Sequence, residues 1–176
     1  MKLKNKILLS IAVALFVVAI VLLALKPEKA FNKVKITYNN VVTNYTKMTF
    51  LDTVAYVGMD SLKLCDIQLT IRPLSQQAKD NFGSNIELKG LIYGVGNHYD
   101  MWIDEMNRNE AIGTIAHELI HLTQYKSKEL VYEGMYVYWN RSKYDFKEMP
   151  YDTRPWEADA FEKQVPLERK IRSALY

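Results

Sequence analysis

The sequence predicts an α+β domain, helices packed on a small sheet, carried behind one N-terminal transmembrane helix. Three observations carry that expectation. Residues 108 to 126 repeat apolar side chains at helical spacing, residues 67 to 103 hold short alternating runs broken by glycines, and residues 7 to 25 form an apolar run without charge.

Of the 176 residues, about 150 follow the apolar run, enough for one domain with a single core. The net charge of +3 is small, and basic residues are scattered among acidic ones, which disfavours nucleic acid as a partner. The single cysteine, Cys65, excludes an intrachain disulfide and a thiolate metal cluster. It reads as a small buried hydrophobe, and no disulfide-linked partner is expected.

Residues 1 to 6 form a short tail with Lys2, Lys4 and Lys6, and Ile7 to Leu25 follows as 19 uncharged residues. At about 1.5 Å per residue a helix of that length spans about 28 Å, the depth of a bilayer core. A cleaved signal peptide is the competing reading, but neither Leu23-Ala24-Leu25 nor Glu28-Lys29-Ala30 makes a good cleavage site. The expectation is a single-pass membrane protein with its tail inside and residues 31 to 176 as an extracytoplasmic domain.

Within that domain, Phe31 to about Met59 lacks glycine and proline until Gly58 and repeats apolar residues at three and four, which predicts a packing helix. Ile67 to Ile71 alternates and stops at Pro73, as a half-buried strand does. Four glycines between Asn81 and Gly96 predict turns separating a strand around Leu91-Ile92-Tyr93 from another at Tyr99 to Ile103. His98 reads as a surface-loop histidine beside an expected edge strand, Tyr99 to Asp104.

The run 108 to 126 contains His117-Glu118-Leu119-Ile120-His121. On a helix, residues four apart stand about 6 Å apart along one face, so two imidazoles can converge on one zinc ion. Glu118 then lies beside the ion rather than on it, placed to take a proton from water whose pKa zinc lowers. Ile112, Ile115, Ala116, Leu119 and Leu122 fall on the opposite side as a stripe to bury, leaving His117, His121 and Gln124 to face a cleft. Asn107 with Glu110 predicts an N-cap and capping box, and Lys126 and Lys128 suit the C-terminal end.

After this helix, Tyr136 to Phe146 alternates about a polar turn and predicts a hairpin. A last helix starts near Pro155, with Pro166 expected to interrupt it and a second piece running from Leu167 to the end. Catalytic zinc takes three protein ligands as a rule, so a third is needed. The candidates are Glu133, Glu157, Asp159 and Glu162. Glu157, in the first turn of the new helix, is the best placed, and Asp159 and Glu162 lie about 200° and 140° around that helix from it.

Thr-Ile-Ala-His-Glu-Leu-Ile-His-Leu-Thr-Gln-Tyr, then Tyr-Trp-Asn, then Arg-Pro-Trp-Glu-Ala-Asp-Ala-Phe resembles the small gluzincin-type zinc metallopeptidases of phage and bacterial genomes, over about residues 65 to 165. The resemblance implies a minimal zincin-like fold in which His117, His121 and Glu157 hold zinc, Glu118 is general base and the substrate is a peptide or protein. The best-known gluzincins carry an aspartate four residues after the ligand glutamate to orient a histidine. Here that position is Phe161. Tyr151, with Tyr144 second, is the expected phenol donor to the oxyanion of the transition state. The rival expectation is a membrane-anchored module that keeps the fold and its metal as a scaffold for a protein partner. An intact Glu118 argues against it, because a scaffold needs ligands but no base.

Overall fold

A computed structural model describes residues 35–38, 45–76, 79, 88–145 and 148–176. The expected tail and span, residues 1 to 25, lie outside them. Among the described residues, no helix is long and apolar enough to cross a membrane.

The described fold is α+β, with three helices and two small sheets. In the larger sheet, β1 (Lys35–Tyr38) and β2 (Gln68–Pro73) are parallel, β4 (His98–Ile103) is parallel to β2 on its other side, and β3 (Gly90–Val95) lies outermost, antiparallel to β4. Alternation decides which face is covered: Leu69 and Ile71 of β2 and Tyr99, Met101 and Ile103 of β4 are buried, their neighbours half-buried or exposed. They share one core with helices α1 (Tyr45–Ser61), α2 (Arg108–Lys126) and α3 (Pro155–Leu175). The α2 stripe of Ile112, Ile115, Ala116, Leu119 and Leu122 is in that core, as its spacing predicts. Asn107 caps α2, its side-chain oxygen accepting from the backbone N–H groups of Asn109 and Glu110 at 3.0 and 3.1 Å.

The smaller sheet is antiparallel, β5 (Leu130–Glu133), β6 (Tyr136–Trp139) and β7 (Ser142–Asp145) in that order. The expected hairpin is its β6–β7 half. Asn140 and Arg141, at φ +49° and +71°, form the link, the left-handed pair that a two-residue hairpin turn with right-handed strand twist demands. β5 was not expected, because Leu130-Val131-Tyr132 is short and bounded by charged residues, and it becomes a strand by pairing with β6.

Several expectations are corrected. Phe31 to Met59 is not one helix: β1 occupies its start and α1 begins only at Tyr45. Ile36 and Thr37 are β-branched, and β2 offers their backbone a parallel partner, so extended chain wins there. The strand expected at the edge, β4, is interior, and β3 is the edge. A hydrophobic pattern reports which face is buried, not which strands lie alongside. His98 is exposed as expected, but it is the first residue of β4 rather than a loop residue. Pro166 does not interrupt α3. Pro166 and Glu162, whose carbonyl loses its helical partner, are both exposed residues, so the unpaired carbonyl need not be buried. Cys65 is exposed in the α1–β2 connection, not buried.

Candidate metal centre

Two elements build the site. The buried face of α2 fixes the rotation of that helix and presents His117, Glu118 and His121 on its other side. Trp156, fully buried against Leu130 and Val137 of the small sheet, pins the start of α3 and so aims Glu157, the next residue, at the histidines. The aromatic neighbour of Glu157 thus does the positioning, and the new strand β5 supplies part of its socket.

His117 Nε2, His121 Nε2 and Glu157 Oε2 form a nearly equilateral triangle, with sides of 3.1 Å between the nitrogens and 3.2 Å from each to the oxygen. Three ligands at about 2.0 to 2.1 Å from a tetrahedral ion would stand about 3.3 Å apart. The buried His–His–Glu group can therefore hold a metal ion. The other candidates do not join it. Glu133 and Glu162 are exposed, and Asp159 accepts from Gln124 Nε2 at 2.9 Å and from Lys163 Nζ at 2.8 Å.

Tyr151 sits on a single 3-10 turn, Tyr151–Thr153, and its hydroxyl donates to Glu157 Oε2 at 2.8 Å. Tyr144 is not at the site; its ring packs edge-on against Trp156 at 5.9 Å. A cleft of about 410 Å³ is lined by His117, Glu118 and Tyr151 together with Leu88, Gly90 and Phe161. Gly90 is glycine for a reason: a Cβ there would stand 2.6 Å from Thr114 Cγ2 and 2.9 Å from Glu118 Oε1. β3 comes this close to the histidine-bearing face of α2 only without a side chain.

Electrostatics follow from burial. Burial pushes the Glu118 carboxyl above the usual carboxylate range, against the pull of His121, His117 and a backbone hydrogen bond from Ile92. Burial acts on Glu157 in the same sense, but hydrogen bonds from His117, His121 and Tyr151 hold it well below that range. For His121 burial disfavours the imidazolium, yet the hydrogen bond to Glu157 and the charges of Glu118 and Glu157 hold its pKa up at about 9. A metal ion needs the neutral imidazole, so binding near neutral pH must displace the His121 proton. Affinity should therefore fall about tenfold for each pH unit below about 9, with about one proton released per ion in calorimetry across buffers of different ionisation heat. Affinity independent of pH between about 6 and 8 would contradict this protonation state.

Three residues at the site were not foreseen in these roles. Gln124, expected to face the cleft, is fully buried and its Oε1 lies 2.7 Å from His121 Nδ1. Gln164 Oε1 lies 3.2 Å from His117 Nδ1. The signal for it was spacing, because residue 164 is two turns from Glu157 on one face of α3. Tyr132 of β5 rests against Tyr125, ring centroids 6.1 Å apart, and burial and the Glu157 charge push its phenol up to about 12. Phe161, where an orienting aspartate was absent, lays its ring against His117 at 4.6 Å.

No family model and no curated protein matches the sequence.

Proposed function

We propose that this chain is a zinc-dependent peptidase of the gluzincin kind, cleaving peptide bonds at the cleft between β3, α2 and the start of α3. The observation that carries the reading is Glu118. A carboxylate buried to 5% exposure beside three converging ligands is costly to keep for packing alone, and its raised pKa suits a group that must accept a proton and return it. A scaffold has no use for it.

His117, His121 and Glu157 would hold the ion, and two imidazoles with one carboxylate are a donor set that suits zinc. Zinc bound there would supply Lewis acidity, polarising the substrate carbonyl and lowering the pKa of the attacking water. Glu118 takes the proton from that water as its oxygen attacks the peptide carbon, then delivers it to the amine nitrogen as the C–N bond breaks. Tyr151 gives Glu157 a hydrogen bond in the resting state and lines the cleft, which makes its hydroxyl the proposed donor to the carbonyl oxygen as charge develops there. β3 is the outermost strand of the sheet, and its first residue, Gly90, lines the cleft with Glu118, so an extended peptide laid along β3 would bring a backbone carbonyl to the base. Residues 7 to 25 are proposed to anchor this domain to a membrane, on its extracytoplasmic side.

A mixed peptide library incubated with the zinc-loaded chain and analysed by mass spectrometry tests the reading. New termini should appear, vanish on chelation and return on adding zinc. A chain that binds zinc and cleaves nothing would overturn it in favour of the scaffold.

A further inference from the structure

Each imidazole at the centre is held at its far nitrogen by an amide rather than a carboxylate. His121 Nδ1 meets Gln124 Oε1 at 2.7 Å, and His117 Nδ1 meets Gln164 Oε1 at 3.2 Å. An amide oxygen can only accept, so each Nδ1 carries a hydrogen, and Nε2, the atom that faces Glu157 Oε2, is the one whose lone pair an ion would take once its own proton is displaced.

For Gln124 the choice between oxygen and nitrogen is not free. Its Nε2 donates to the Trp156 carbonyl at 3.0 Å and to Asp159 Oδ2 at 2.9 Å, both acceptors, which leaves Oε1 for His121. Asp159 is in turn gripped by Lys163 at 2.8 Å. The carboxylate that could have touched a histidine directly thus acts through an intervening amide. For Gln164 the room comes from Gly113, where a Cβ would press to within 3.2 Å of the Gln164 amide nitrogen.

We infer that Gln124 and Gln164 are the positioning residues of the metal centre, each holding a hydrogen on Nδ1 with an uncharged partner so that Nε2 is presented to the ion, and that Asp159 fixes Gln124. The inference rests on the His–His–Glu reading of the site and adds the shell that orients it. Uncharged partners do not strengthen the imidazoles as ligands the way carboxylates do, so the centre would bind an ion less tightly than one backed by carboxylates, and the ion would keep more of its Lewis acidity.

Zinc affinity, measured on the full chain by competition with a chromophoric chelator, separates the possibilities. Gln164→Leu should weaken binding by on the order of 10-fold and Gln124→Leu by up to about 100-fold. Gln164→Glu keeps the shape and puts a carboxylate on the same hydrogen, so it should bind zinc about 10-fold more tightly than wild type. Cobalt substituted for zinc should show its visible bands shifted in Gln164→Leu. Gln124 is fully buried and its variant can fail to fold, but the half-buried position 164 decides the matter alone. Two Gln164 variants with wild-type affinity, or a Glu variant as weak as the Leu one, would overturn the inference. A wild-type chain that binds no zinc would instead remove the metal centre itself.

Discussion

Glu118→Gln is expected to lower peptide cleavage by about 10² to 10⁴ while bound metal stays at the wild-type level. The substitution keeps the shape of a side chain that is 5% exposed and keeps an oxygen for the Ile92 backbone contact, so neither packing nor the three ligands should move. What it removes is the buried carboxylate that lines the cleft beside His117. Since the carboxylate is buried against its own hydration, the melting temperature should hold or rise slightly rather than fall. The loss should appear in kcat more than in KM, because the base acts in the transition state and contributes little to holding the peptide. A glutamine variant as active as wild type would remove Glu118 from the chemistry and leave the site a metal-bearing scaffold.

The His–Glu–x–x–His helix was legible because three independent patterns agree on it: the apolar stripe from Ile112 to Leu122, the Asn107 cap and the four-residue histidine spacing. Glu157 was legible for a related reason, since Pro155 announces a helix start and places residue 157 in its first turn. Sequence spacing says less about neighbours across elements. Nothing local distinguishes β4 as an interior strand from β4 as an edge, and that order is set by which strand β2 accepts on its second side. Leu130 to Glu133 is a strand only because β6 lies next to it. The glutamine partners were hidden differently. Glutamine is common on helices, and only the meeting of α2 with α3 shows that Gln164 reaches His117. Pro166 misled because its cost is one lost hydrogen bond and a ring crowding the Glu162 carbonyl, and on an exposed face that cost does not outweigh the buried Leu167 and Ile171 that hold the rest of α3 in the core.

The proposed catalysis requires one ion held jointly by His117, His121 and Glu157, and Glu157 is the ligand that a different helix must deliver. Its Oε2 closes the triangle at 3.2 Å from each histidine nitrogen and also takes the Tyr151 hydrogen bond at 2.8 Å. With alanine there, two neutral nitrogens remain, and affinity should drop by on the order of 10² or more. Asp159 lies on the same helix but, among the described residues, hydrogen-bonds to Gln124 and Lys163 rather than to a histidine, so its removal should loosen the orientation of His121 without taking away a ligand. The decisive measurement is the metal content of the purified chain by elemental mass spectrometry after dialysis against metal-free buffer. Wild type and Asp159→Ala should retain close to one zinc per chain, and Glu157→Ala should retain almost none. A full complement in Glu157→Ala, or its loss in Asp159→Ala alone, would contradict the assignment of the third ligand and with it the centre described here.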